Sequence, residues 1–281
     1  MPEFTAQDVA ALRKATGAGM MDCKRALEET GGDLEAAKDW LRAQGITKQA
    51  KRSGRAAEQG AVDVAVDGSA GAVVELTCET DFVAKGGDFR ELVAALARQV
   101  AEQGDVDVEA QPFEGGTVAD AVQALGAKLG ENVGIGRVAR YETPDGLLDA
   151  YKHVQNERGT IGVLVELGGV DPEDAKARAV AHDVALHVAS AAPRYASRND
   201  VPTETVEHER VVLEELTRNE GKPDQAIPKI VEGRLNGFFK DNVLTEQPFI
   251  REPKTTVGKL VESLGADATI RRFVRFKIGE E

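Results

Sequence analysis

Residues 72–84 read AVVELTCETDFVA. Ala72 to Thr77 has the apolar, β-branched character of a buried strand. It runs straight into Asp81 and Phe82, and Gly86 and Gly87 follow. The glycines put the ring on a loop tip rather than inside a regular element. Burying a Phe side chain is worth roughly 1.5–3 kcal/mol, so such a ring has two destinations. It folds back onto its own core, or it enters a pocket on a partner.

Around this stretch the pattern is that of strands and helices in alternation. AVDVAVD (61–67) alternates, turns at Gly68, and pairs with 72–77 as a hairpin. Asp88 to Gln103 carries Phe89, Leu92, Val93, Leu96 and Val100 at helical spacing, Val118 to Leu129 is a second helix, and GENVGIGRVARYE returns to strand. A second copy of the order follows: strands over 147–154 and 160–167, then a helix over 172–190. Shifting by 90 residues lays AVVELT (72–77) over GVLVEL (162–167). The chain is therefore an α+β protein with a duplicated core. The second copy ends its strand in GGVDPED (168–174) and has no Thr-Asp-Phe, so the halves do different work.

Upstream, residues 1–46 read as a three-helix module resembling the ubiquitin-associated type. Thr5 caps the first helix, Gly17 and Gly19 break it, Gly31-Gly32 ends the second, and Asp33 caps the third. Trp40 is the expected core anchor, and at least one of Met20 and Met21 is expected to fill that core. Residues 47–60 form a linker with Lys48, Lys51, Arg52 and Arg55. The first core subdomain covers 61–141, and the second covers 142–202 and 241–281. Residues 203–240 form a helical hairpin with an apolar stripe of Ile227, Ile230, Val231, Leu235 and Phe238. That stripe packs within one chain or joins two chains as a homodimer.

Composition excludes several classes. The 281 residues carry a formal charge of −13, which disfavours a nucleic-acid surface and suits docking to a protein. Cys23 and Cys78 are too few for a disulfide framework or a zinc site and read as reduced, buried thiols. The start, MPEFTAQDVAALRK, is polar and unlike a signal peptide. No apolar run approaches the roughly 20 residues of a membrane span, so a cytoplasmic protein is expected.

No catalytic constellation stands out. Gly258-Lys259 is followed by Leu260 and lacks the glycine that would begin a phosphate loop. GIGR (134–137) lacks the third glycine of a dinucleotide fingerprint. His182 and His187 are five apart and point to different helix faces, so they do not share a metal. His187 reads as a satisfied core histidine, and His153 sits at a strand end. No cofactor, metal or directly bound nucleotide is expected. An enzyme using Asp81 as a general base would need an enclosed pocket and a nearby nucleophile, and the sequence offers neither.

TDFVAK after a short strand resembles the signature of the elongation factor Ts family, exchange factors for the GTPase elongation factor Tu. So does LRKATGAGMMDCKRALE (12–28). AKLGENV (127–133), RGTIGVLVEL (158–167), HVASAAPRY (187–195), GKPDQAIPKIVEGRL (221–235) and QPFI (247–250) follow in the family's order. The resemblance implies a protein that binds elongation factor Tu, nucleotide-free or GDP-bound, and promotes exchange without chemistry of its own. It implies that Thr80, Asp81, Phe82 and Val83 enter beside the Mg²⁺ side of the partner's nucleotide pocket. It places Met20, Met21 and Lys24 of the module against the GTPase, with Leu129, Gly130 and His153 near the partner. It also implies that the hairpin 203–240 protrudes as a coiled coil. The alternative is a ubiquitin-associated-type adaptor without exchange activity. That alternative accounts for residues 5–45 but leaves the duplicated core unexplained.

Overall fold

Helix ends in the N-terminal module are set by side chains next to them. A computed structural model describes residues 4–44 and 55–280. Helices α1 (Ala6–Thr16), α2 (Met20–Glu29) and α3 (Leu34–Ala43) form the module. Thr5 and Asp8 make a reciprocal capping box at α1, and Asp33 accepts from two amides at the start of α3. Gly17 ends α1 in the left-handed region at φ 65°. Leu12, Cys23, Ala26, Leu27, Ala37 and Leu41 are buried together. Trp40 is not the central anchor expected: it is half-buried at the edge of this cluster, with the Arg25 guanidinium 5.5 Å over its ring. Leu12, Leu27 and Leu41 already fill the centre of the cluster, and the indole packs against its rim. Neither methionine fills the core: Met20 is 59% and Met21 72% exposed. Lys48, Lys51 and Arg52 of the basic linker lie outside the described residues.

The remainder is α+β. Strands β1 (Gln59–Asp67) and β2 (Ala70–Cys78) lead into α4 (Asp81–Ala84) and α5 (Gly87–Gln103). A short ribbon, β3 (Pro112–Phe113) with β4 (Gly116–Thr117), precedes α6 (Val118–Leu129) and β5 (Gly134–Glu142). The second copy runs β6 (Leu147–Gln155), β7 (Arg158–Gly168), α7 (Ala175–Ala191), the hairpin α8 (Thr203–Asn219) and α9 (Ile227–Asn242), then a ribbon of β8 (Pro248–Phe249) and β9 (Glu252–Thr256). It closes with α10 (Val257–Glu262) and β10 (Thr269–Lys277). The sheets have matching orders, β1-β2-β5 and β6-β7-β10.

The repeat extends further than the strands and long helices. Gln111-Pro112-Phe113 and Gln247-Pro248-Phe249 each begin a short ribbon that leads through Thr-Val into a helix. In both, the first valine of that helix donates its amide to the glutamine carbonyl at 3.0 Å.

The chain forms two compact units. One comprises the described residues of Met1–Ala61, Leu76–Leu92 and Asp107–Gly136; the other comprises Val62–Glu75, Val93–Val106 and Arg137–Glu281. In the second unit α7 is rich in alanine and valine. Ala177, Ala181, Val184, Ala185 and Val188 bury against Val163, Val165 and Leu167 of β7. Small side chains let helix and sheet approach closely. On the other face of that sheet, Val62 and Val73 pack on Leu148, Leu164 and Phe276. Gly162 sits at this contact, where an added Cβ would lie 2.4 Å from a methyl of Val62.

α7 begins after Asp174, whose carboxylate accepts from Lys176 N–H, not at Pro172. Near its end His187 is buried. Ile250 N–H donates to His187 Nδ1 at 3.3 Å, so Nε2 carries the proton and donates to Gln247 Oε1 at 2.9 Å. Gln247 in turn donates to the Asp241 carbonyl at 2.8 Å. Burial holds the imidazole below its usual pKa, against the opposing bond from Gln247. A charged ring would aim Nδ1–H at the Ile250 amide.

The unfolded chain therefore binds this proton more readily between the depressed folded pKa and the ordinary value of about 6.5. The stabilisation is complete above that value and is lost as pH falls toward the folded pKa. Urea unfolding should show a larger loss of stability between about pH 7.5 and 5.5 for the natural chain than for His187→Gln. Equal losses would rule His187 out as a source of this pH dependence.

In the hairpin, Val206 and Leu213 of α8 meet Leu235, Phe239 and Val243. Phe239, not Phe238, is the more buried ring of the pair, and Ile230 is half-buried. Val211, Val212 and Leu216 remain exposed on α8. At the base, Arg194 and Tyr195 amides donate to the Asn242 carbonyl at 2.9 and 3.1 Å, and Leu244 N–H returns to the Tyr195 carbonyl at 2.9 Å. No helix among the described residues is long and apolar enough to cross a membrane.

Candidate functional site

The sequence places Phe82 on a loop; the structure places it on the one-turn helix α4. The helix starts because Thr80 is extended at φ −123° and its Oγ1 accepts from Val83 N–H at 3.3 Å. Asp81 lies in the first turn, where the exposed amides favour a carboxylate, and pairs with Lys85. Val83 and Ala84 turn inward and are buried. That pins the turn and leaves Phe82 on the opposite side, 83% exposed. The ring does not fold back onto its own core.

Beneath the turn two acidic side chains cross over. Glu131 Oε2 accepts from the amides of Glu79 and Thr80, both at 3.1 Å, and Oε1 accepts from Thr80 Oγ1 at 2.6 Å. Glu79 reciprocates by accepting from Asn132 N–H at 2.6 Å and pairing with Arg55 at 3.2 Å. Asn132 Nδ2 donates to the Arg55 carbonyl at 2.7 Å. Cys78 Sγ lies 3.1 Å from the Thr80 carbonyl. Gly130 ends α6 at φ 78°, and this left-handed residue directs the following Glu131 toward the end of β2.

The structure thus brings Thr80–Val83 together with the Leu129-Gly130 end of α6, through Glu131. Leu129 is half-buried and Gly130 exposed. Glu79, Glu131, Asn132 and Arg55 are site residues that sequence reasoning missed. They adjoin the quoted motifs, but nothing local pairs CETD with GENV.

Two further candidate surfaces lie elsewhere on the chain. In the module, Met20, Met21 and Lys24 line an open groove of about 780 Å³ with Phe4, Val9 and Arg13. In the second unit, His153 is exposed on β6, with Nδ1 3.3 Å from the Tyr151 hydroxyl. Tyr151 meets His182 edge-on at 6.0 Å, and His182 bonds Asp149 at 3.1 Å. Burial pushes the Asp149 carboxyl above its ordinary pKa, with His182 opposing.

Among the described residues no group of three or more His, Cys, Asp or Glu side chains could hold a metal. Cys23 and Cys78 are buried thiols outside any disulfide, and burial raises the Cys23 thiol pKa. Both thiols should therefore stay unreactive toward Ellman's reagent in the folded chain and react together on unfolding. Rapid labelling of the native chain would contradict this.

The family model described as Elongation factor TS matches residues 79–280. Elongation factor Ts of Micrococcus luteus is 46% identical over 284 residues, covering 99% of this chain and all of the relative. That of Thermobifida fusca is 46% identical over 287 residues, covering all of both. That of Streptomyces avermitilis is 48% identical over 287 residues, covering 99% of this chain and all of the relative. The chain belongs to the elongation factor Ts family and is a translation elongation factor.

Proposed function

We propose that the chain binds elongation factor Tu in the cytoplasm and accelerates GDP release from it, with no catalytic chemistry of its own. The observation that carries this reading is Phe82, a large apolar ring held outward by a turn whose other face is buried. GDP in a GTPase is held by phosphate contacts and by the Mg²⁺ that neutralises them. Phe82 displaces side chains that support the metal site, and Asp81 brings a carboxylate to the phosphate-binding backbone. Thr80 and Val83 hold this pair in place.

In this reading the module of residues 1–46 docks on the nucleotide-binding domain through Met20, Met21 and Lys24. Methionine suits such a surface because it is flexible and polarizable. Leu129 and Gly130 support contacts around the turn. His153 lies near the partner, and the segment formed by 142–202 and 241–281 grips a second domain of the GTPase.

An exchange factor works by preferring the nucleotide-free partner, and the coupling is reciprocal. Speeding release by four to five decades takes about 5.5–7 kcal/mol of differential binding, at ~1.4 kcal/mol per tenfold. One rim contact does not supply that, whereas a wide interface with one inserted ring does. The test is stopped-flow release of fluorescent GDP from elongation factor Tu. Acceleration that saturates with chain concentration supports the reading, and an unchanged release rate removes it.

A further inference from the structure

We infer that Glu131 is a positioning residue for the Phe82 turn: its carboxylate fixes the start of α4 and thereby the direction in which the ring projects. This inference rests on the exchange reading above. One carboxylate takes three donors from two consecutive residues, the Glu79 amide and the Thr80 amide and hydroxyl. Charge-assisted bonds of this kind are roughly twice as strong as neutral ones. The same Thr80 hydroxyl oxygen accepts from Val83 N–H, so Glu131 acts on the helix cap itself.

A four-residue helix needs such help. Closing the first turn of a helix is unfavourable, and α4 has no length over which to recover the cost. Val83 and Ala84 anchor one face of the turn, but two small buried groups do not fix rotation about the strand end. Glu131 supplies the missing constraint from a separate element. The reciprocal bonds from Asn132 and Arg55 to Glu79 hold the strand end from the other side. An inserted ring is effective in proportion to its prior order, because a displacement of about 1 Å can cost on the order of a hundredfold in rate. The clamp therefore serves the rate of release more than the affinity of docking.

The test is stopped-flow release of fluorescent GDP from elongation factor Tu at increasing concentrations of the natural chain, Glu131→Ala, Glu131→Gln, Phe82→Ala and the Glu131→Ala/Phe82→Ala double variant. Hydrogen exchange of the Glu79 and Thr80 amides is followed in parallel. Glu131→Ala is expected to lower the maximal release rate by roughly tenfold or more, with the half-saturating concentration changed by less than about threefold. Glu131→Gln keeps one acceptor oxygen and is expected to fall between the two, and it carries the test if the alanine variant does not fold. The Thr80 amide should exchange faster in both.

In the Phe82→Ala background the loss of Glu131 should have almost no further effect, because the two residues act through one ring. A full maximal rate with a deprotected Thr80 amide would overturn the inference, as would independent, multiplying losses in the double variant. A natural chain that leaves GDP release unchanged would instead overturn the exchange reading itself.

Discussion

Phe82→Ala is expected to abolish most of the acceleration of GDP release while leaving docking to GDP-bound elongation factor Tu nearly intact. A central aromatic anchor is worth about 2–4 kcal/mol on truncation, which is roughly 30- to 700-fold in maximal release rate. That is a large share of the differential binding exchange requires. The ring is 83% exposed in the free chain, so its loss should shift the chain's own stability by less than about 0.5 kcal/mol. The effect is thus separable from misfolding. Release at saturating chain gives the rate, and titration of labelled, GDP-bound elongation factor Tu gives the docking affinity; the nucleotide-free form should bind the variant more weakly, because the coupling is reciprocal. Phe82→Leu retains apolar bulk and should recover part of the rate. A Phe82→Ala chain that releases GDP at the natural rate would remove the ring from the mechanism.

The largest expected loss of stability lies elsewhere, at Gly169. This residue follows β7 at φ +68°, a region that costs a side chain about 1 kcal/mol. An added Cβ would also lie 1.9 Å from the Asp267 carbonyl oxygen, which is backbone and cannot swing aside. Overpacking adds about 1–3 kcal/mol. Gly169→Ala should therefore cost about 3 kcal/mol, lowering Tm on the order of 6–12 °C. Gly68 is the control: its φ is +57°, but nothing lies within 4 Å of the added Cβ. Gly68→Ala should lose only the conformational part, about 1 kcal/mol. Equal shifts in the two melting curves would mean that the contact with Asp267 contributes nothing.

Much of the fold was legible because local chemistry and tertiary demand agree. Thr5 and Asp33 read as helix caps in the sequence, and both cap their helices in the structure. Other features were visible but misread. Thr80 followed by Asp81 is itself a helix-start pattern, so the turn carrying Phe82 was readable as helix rather than loop. The repeated Gln-Pro-Phe at 111–113 and 247–249 marks equivalent points of the two halves, and a comparison confined to long strands and helices passes over it. The pattern predicts a core place for at least one of Met20 and Met21; alanine, leucine and Cys23 already occupy that core. The pairing of Glu79 and Thr80 with Glu131 spans 52 and 51 residues and was not legible at all. No periodicity or motif encodes which acid will meet which strand end.

The hairpin of α8 and α9 leaves the second copy and returns to it at one point, where Tyr195 and Val243 pair. In the first copy a short bend at 104–107 does the same job. Because the neck is laced by its own backbone, the host sheet does not register how much chain lies beyond it. The arm is thus closed off at its root as a cassette is: shortening α8 and α9 together is expected to leave the sheet of β6, β7 and β10 folded, and a lost native circular-dichroism signal in the shortened chain would contradict this.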